Sequence, residues 1–501
     1  MFERSSGILM HISSLPSEYG IGDFGKKAYE FVDFLKKSEQ KLWQALPMGP
    51  TGYGDSPYQS FSTYAGNPYF IDIEDLYQLG YLDEDDLNYM KEINYSDNLD
   101  YEQLYERKTI VLKKAFEEFK KETRENIVDD FKKFKAENSW WLDNYSLYMS
   151  LKFKFDGKSW QDWSKDYKYR NVKKMLIDEE IKKNMDYFSF VQYTFYKQWF
   201  KLKEYANSNG IKIIGDIPIF VATDSADTWS NSEIFQFDKY KRPKRVAGCP
   251  PDYFSKDGQL WGNVLYDWKK LKESGYKWWV KRIEYSFKIY DVVRIDHFRG
   301  FEAYWSISAK DKTAVKGHWE KGPGIEFFRV LERRIGKKPI IAEDLGLLTD
   351  GVRKLLKRSE FPGMKILEFA FDSDDSDYLP HKYEKNSVAY TGTHDNNTVE
   401  GWYKGISPET KFYCDEYLKK YLVEKNCNYW DPINWRFINA IWASEANIAI
   451  VQMQDLLGIG EEGRMNAPST LGKNWKWRMQ SHELTEEIAE NLKNVTRKFY
   501  R

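Results

Sequence analysis

Four stretches of this chain carry a carboxylate just after an apolar, β-branched run. They are Gly215-Asp216-Ile217-Pro218, Arg294-Ile295-Asp296-His297-Phe298-Arg299-Gly300, Ala342-Glu343-Asp344-Leu345-Gly346 and Thr391-Gly392-Thr393-His394-Asp395-Asn396-Asn397. A single carboxylate at a strand end is ordinarily a helix cap or a solvated loop residue. Four on otherwise apolar strands call for another account. Clustered carboxylates repel and persist only beside compensating donors, and Arg294, His297, Arg299 and His394 stand next to them. The chemistry that uses two such groups is retaining glycosidic bond cleavage, with a nucleophile and an acid/base about 5–5.5 Å apart. Carboxyls ending neighbouring strands, about 4.8 Å apart, meet that spacing. Strand alternation puts Arg294 and Asp296 on one face, so Arg294 is expected to hold Asp296 ionised, with a lowered pKa suited to a nucleophile. The other reading of this pair is a salt bridge in a barrel interior. Glu343 follows the apolar Ile340-Ile341-Ala342, an approach that favours the raised pKa of a general acid. Asp395, from another strand, is placed to grip sugar hydroxyls.

Two of the six histidines, His297 and His394, abut these acids, where donating to a sugar hydroxyl competes with a purely structural role. No Gly-x-Ser-x-Gly elbow is present, so acyl transfer is unsupported. Loops supply the remaining candidates. Gly52-Tyr53-Gly54-Asp55-Ser56-Pro57-Tyr58-Gln59 offers Ser56 and Tyr58, the second as a stacking platform. Gln259-Leu260-Trp261-Gly262-Asn263 offers Gln259 and Trp261, and Gly463-Arg464-Met465-Asn466 offers Asn466. Aromatic residues make up 17% of the chain, more than packing alone explains, and suit a ligand with flat apolar faces such as a sugar chain.

The elements that position these residues follow from hydrophobic period. Eight apolar runs, at 8–13, 42–48, 211–221, 292–298, 339–345, 364–371, 387–394 and 447–456, alternate with helix-like stretches. Several are apolar on both faces, as parallel strands covered by helices must be. Ala28, Phe31, Val32 and Leu35 follow helical spacing, as do Phe188, Val191, Phe195, Trp199 and Leu202, which stop at Asn209-Gly210. The pattern predicts an α/β fold, a (β/α)8 TIM barrel with large, mainly helical insertions. An open doubly wound sheet would want a Gly-x-Gly-x-x-Gly turn after its first strand, which is missing. Barrel sites form where strands end, which is where the carboxylates lie. The gap between the second and third runs far exceeds the roughly 2–6 residues of an ordinary α/β loop. Residues 1–60 are therefore read as the first part of the barrel, 61–186 as a helical insertion and 187–501 as the remainder. Within the remainder, a turn-rich loop insertion is expected at about 222–266 and a helical one at about 396–442.

Composition removes other classes. The 501 residues carry 76 Lys+Arg against 77 Asp+Glu, which excludes a strongly basic nucleic-acid binder. No run approaches about 18 apolar residues, so no membrane span is expected. Met1-Phe2-Glu3-Arg4-Ser5-Ser6 lacks the features of a secretory signal. Three cysteines do not call for a disulfide framework, and the cytoplasm is the expected compartment. No Cys-x-x-Cys or His-x-x-x-His pair suggests zinc, and no dense oxygen-ligand loop suggests calcium. Neither a metal nor a cofactor is expected.

Taken together and in order, the motifs Gly-Tyr-Gly-Asp-Ser-Pro-Tyr-Gln, Gly-Asp-Ile-Pro-Ile-Phe-Val, Arg-Ile-Asp-His-Phe-Arg-Gly, Ala-Glu-Asp-Leu-Gly and Gly-Thr-His-Asp-Asn-Asn-Thr resemble those of the 4-alpha-glucanotransferases (amylomaltases, disproportionating enzymes) of glycoside hydrolase family 77, relatives of the α-amylases. The resemblance runs from His11-Ile12-Ser13-Ser14-Leu15-Pro16 to Asn474-Trp475-Lys476-Trp477-Arg478. It implies transfer of α-1,4-glucan segments to a glucan or glucose acceptor through a covalent glucosyl-enzyme. Asp296 then matches the nucleophile, Glu343 the acid/base and Asp395 the third carboxylate. Tyr58, Asp216, Arg294, His297, His394 and Asn466 match donor-site positions, while Gln259 and Trp261 match a loop covering the acceptor side. Ser469 departs from the pattern, which usually has Gly after Pro468. The residues alone stop at retaining glycosidase-type chemistry, so an α-glucan hydrolase or a non-catalytic glucan-binding barrel stays open at this level. Oligomeric state is not legible.

Overall fold

The computed structural model describes residues 2–52, 54–93, 99–171, 173–251, 256–346, 348–470 and 472–501. Tyr53, part of the Gly52–Gln59 motif, lies outside them. Eight parallel strands form one sheet: β1 Ser5–Leu9, β2 Leu42–Gln44, β3 Lys212–Pro218, β4 Val292–Asp296, β5 Ile340–Ala342, β6 Gly363–Ile366, β7 Ser387–Tyr390 and β8 Ile448–Gln452. The hydrogen-bonded order is β6-β7-β8-β1-β2-β3-β4-β5. The sheet curls until β5 meets β6, where Ala342 N–H donates to Pro362 O at 3.0 Å. Asp344 finishes this seam, its carboxylate accepting from Met364 N–H at 2.7 Å. A Cβ on Gly363 would lie 2.6 Å from that carboxylate, so the seam requires glycine there. The fold is the expected (β/α)8 barrel.

Each strand is buried along nearly its whole length because helices cover the outside. Helix Lys26–Lys37 buries Ala28, Phe31, Val32 and Leu35, and helix Glu179–Ser208 buries Phe188, Val191, Phe195, Trp199 and Leu202. The latter is one continuous helix capped by Asp178. It packs along Glu125–Lys154, so the helices between β2 and β3 and the barrel's outer layer share an element. Three more helices, Val399–Gly405, Pro408–Glu424 and Ile433–Ala443, lie between β7 and β8. Among the described residues no helix is long and apolar enough to cross a membrane.

Two expectations need correction. The paired strands are shorter than the apolar runs. The run 42–48, for example, pairs only over Leu42–Gln44. The excursion at about 222–266 is also more than a loop. It contributes strands Arg245–Cys249 and Gln259–Val264 to a four-stranded antiparallel sheet with Ala303–Ser308 and His318–Lys321, in the order Gln259–Val264, Arg245–Cys249, Ala303–Ser308, His318–Lys321. Both pairs of strands grow from the carboxyl ends of β3 and β4, so this sheet stands beside the barrel mouth.

Candidate active site

Asp216 on β3 and Arg294 on β4 are register partners. Alternation aims both into the barrel, together with Asp296 two residues on. Arg294 Nη1 donates to Asp216 Oδ2 at 2.6 Å and to Asp296 Oδ1 at 3.1 Å. One guanidinium, almost fully buried, therefore serves two carboxylates. Tyr58 adds a third contact, its hydroxyl donating to Asp216 Oδ2 at 2.8 Å and lying 2.9 Å from His394 Nε2. The Tyr58 and His394 rings stack at 5.3 Å.

Asp296 and Glu343 each follow directly on the last residues paired between β4 and β5, Ile295 opposite Ala342. They are thus side by side on one rim. Directly after Asp296, His297 takes a left-handed conformation (φ 53°), unusual for a residue with a Cβ. In that turn His297 N–H donates to Glu343 Oε2, and Leu345 N–H donates to Oε1, both at 2.7 Å. Two backbone donors orient the Glu343 carboxyl before any ligand arrives. Asp395, across the mouth on the segment after β7, accepts from Asn466 Nδ2 at 2.6 Å and lies 3.3 Å from His394 Nε2. Its side chain is the open one, 46% accessible against 26% for Asp296.

The electrostatics differ from the sequence expectation at one residue. Arg294 does favour ionised Asp296, but burial and repulsion from Asp216, Glu343 and Asp395 outweigh it and push Asp296 up to about 7. Arg294 does not serve Asp296 alone, because it is shared with Asp216. Burial also raises Glu343, against the pull of Arg294 and its two backbone donors, in line with its apolar approach. Asp395 goes the other way: burial raises it, yet the His394 charge and the hydrogen bonds from His394 and Asn466 bring it below the usual range. Two neighbouring raised carboxyls titrate as a pair that holds one proton over a span of pH. A double displacement requires the charge on Asp296 and the proton on Glu343, so it needs Asp296 ionised. The acid limb of kcat/KM is therefore expected well above the ordinary aspartate range of about 4, toward 7. Initial rates on maltotriose across pH 4–9 check this, with rate rising as pH climbs through that limb.

His297 packs its ring edge-on against Trp261 at 4.8 Å and 90°. Burial and nearby Arg299 lower its pKa to about 3, so the imidazole is neutral, and its buried Nε2 has no protein partner. Gln259 is occupied with Trp261, accepting from its indole N–H at 3.0 Å. The Ser56 hydroxyl accepts from Tyr58 N–H at 3.3 Å and shapes the turn that presents Tyr58. Every other candidate converges on the mouth. Sequence reading had assigned no role to Trp475, which flanks both Tyr58 and His394 at 5.9 Å, or to Arg464, which donates to Asp395 O. Only the proximity of Arg464 to Asn466 in the chain hinted at either.

Ser469 holds φ 66°, the conformation a glycine would take. The left-handed penalty, about 1 kcal/mol, nearly matches the unfolded-state entropy that glycine would add, about 0.5–1 kcal/mol. Ser469→Gly is thus expected to leave melting temperature and turnover nearly unchanged, as a thermal melt and a maltotriose assay would report.

Residues 10–485 match the family model described as 4-alpha-glucanotransferase. The 4-alpha-glucanotransferase of Clostridium butyricum is 51% identical, over 97% of this chain and 99% of the relative. That of Thermus thermophilus is 42% identical over 98% and 97%. Among solved structures, an amylomaltase from Streptococcus agalactiae in complex with acarbose superposes with a TM-score of 0.95 at 42% identity, covering 100% of both chains. With the barrel, the ordered motifs and this agreement along the whole length, the chain belongs to the 4-alpha-glucanotransferases of glycoside hydrolase family 77.

Proposed function

We propose that the enzyme moves segments of α-1,4-glucans between maltodextrin chains, or onto glucose, with Asp296 as nucleophile, Glu343 as acid/base and Asp395 as the group gripping the distorted donor sugar. The observation that carries the assignment is the pair of adjacent strand ends, with Asp296 tied to Arg294 and Glu343 held by two backbone donors. In the first step an Asp296 oxygen attacks the anomeric carbon. The bond from that carbon to the leaving glucan oxygen breaks, and Glu343 gives that oxygen its proton. In the second, the 4-hydroxyl of an acceptor sugar attacks the same carbon, its proton passes to Glu343 and the ester to Asp296 breaks. Arg294 stays paired with Asp216 when Asp296 loses its charge in the ester, so the site never holds a lone buried cation. His297, Asp216 and His394 have buried polar atoms without protein partners, suited to sugar hydroxyls.

The acarbose bound by the Streptococcus agalactiae relative supports an oligosaccharide in this mouth. A cytoplasmic setting suits a chain with three cysteines. Maltotriose tests the reading. Glucose together with maltotetraose and longer chains, at nearly constant total reducing ends, is the expected outcome. Reducing ends that rise with every cleavage would mark a hydrolase.

A further inference from the structure

The antiparallel sheet beside the mouth is irregular at the point that matters. Val246 pairs with Val264 and Gly248 with Leu260, so a two-residue step on one strand faces a four-residue step on the other. Trp261, Gly262 and Asn263 together face Ala247 alone, two residues more than a regular ladder holds, and bulges of this kind re-aim side chains. Gly262 (φ 78°) turns the chain at the tip. Two residues, Thr223 and Gln59, hold the bulge from outside. Thr223 Oγ1 donates to Gly262 O at 2.8 Å. Gln59, next to Tyr58 on the loop after β2, donates from Nε2 to Asn263 Oδ1 at 3.0 Å and to Trp261 O at 3.4 Å, and accepts at Oε1 from Asn263 Nδ2 at 3.4 Å. Asn263 is buried, only 5% accessible.

Gln59 thus joins two loops that reach the site from the ends of the neighbouring strands β2 and β3. Its own loop carries Tyr58 to Asp216 and His394. The bulge carries Trp261 to His297, whose N–H holds Glu343. We infer that the Gln59–Asn263 amide pair is a clasp that keeps Trp261 seated against His297, beside the catalytic rim, and that it sets how the glucosyl ester is shared between a sugar hydroxyl and water. The inference rests on the transfer reading above. Either acceptor attacks the same anomeric carbon, gives its proton to Glu343 and releases Asp296. A seated indole offers a sugar ring a face and displaces water; an unseated one does neither. Gln59 and Asn263 are positioning residues here, acting through Trp261.

The test compares wild type, Gln59→Ala, Asn263→Ala, the double alanine variant and the swap Gln59→Asn/Asn263→Gln, which exchanges the lengths of the two arms while keeping both amides. For each, maltotriose products are resolved to give the ratio of hydrolysis to transfer, with KM for glucose as acceptor and a thermal melt alongside. Each single alanine variant is expected to raise the ratio about tenfold, the worth of one lost hydrogen-bonded contact, and to raise acceptor KM. The double variant should do no more than either single one, and the swap should return most of the ratio. A merely structural role would lower rate and melting temperature together and leave the ratio alone. A wild-type ratio in either single variant, or additive effects in the double, overturns the clasp. Wild type that makes no longer oligosaccharide refutes the transfer reading and takes the clasp with it.

Discussion

Asp296→Ala is expected to abolish glucan transfer, by at least about 10⁴-fold in kcat/KM, the scale on which removal of a covalent nucleophile acts. No other carboxylate can take over. Asp216 is committed to Arg294 and Tyr58 behind the rim, and Asp395 lies across the mouth on the segment after β7. The variant should still fold, because Arg294 keeps Asp216 as a partner at 2.6 Å and one buried carboxyl disappears from a repulsive cluster. A small anion such as azide, entering the emptied space, should restore release of the leaving glucan from an activated donor and yield a glucosyl azide of inverted configuration. Product analysis by chromatography and NMR measures both. Undiminished disproportionation of maltotriose by this variant would remove Asp296 from the mechanism.

Glu343→Gln should slow transfer between natural glucans by about 10²–10⁴-fold, the usual contribution of a general acid, while glucan binding persists. The discriminating feature is its dependence on the leaving group. A donor such as α-glucosyl fluoride departs without a proton, so the first step should survive and the ester accumulate, because the second step lacks its base. The amide is not a neutral replacement for the fold. Both Glu343 oxygens accept from backbone N–H groups, and an amide nitrogen cannot accept. One of those bonds is lost, at about 1–3 kcal/mol, so a lower melting temperature should accompany the variant. Calorimetry with maltooligosaccharide separates the two effects: retained affinity assigns Glu343 to chemistry, and lost affinity assigns it to structure.

Much of the site was legible because its parts are local. Asp296, Glu343 and Asp395 each follow an apolar run, and a barrel gathers strand ends without further instruction. What the sequence could not show depends on neighbours remote in the chain. Asp296 seemed to own Arg294, two residues away. The register that also sets Asp216 opposite Arg294, and the sharing that follows, exist only once β3 and β4 pair. That is why a lowered pKa was expected and burial with carboxylate repulsion prevails. The antiparallel sheet escaped notice for a related reason. Its strands are short, one is bulged and His318–Lys321 is largely exposed and polar, so no period-2 signal rises above the Gly/Pro turns around Cys249. Trp475 reaches Tyr58 and His394 from the far end of the chain through a left-handed residue (φ 66°), which no propensity indicates.

The central claim is that glucose becomes esterified to Asp296. The direct measurement incubates Glu343→Gln with α-glucosyl fluoride, denatures the protein, digests it and sequences the peptides by mass spectrometry. A single glucosyl addition on Asp296, absent from Asp296→Ala treated in the same way, is the predicted result. A stable addition on Glu343, Asp395 or Asp216, or products of inverted anomeric configuration with no addition at all, would contradict it.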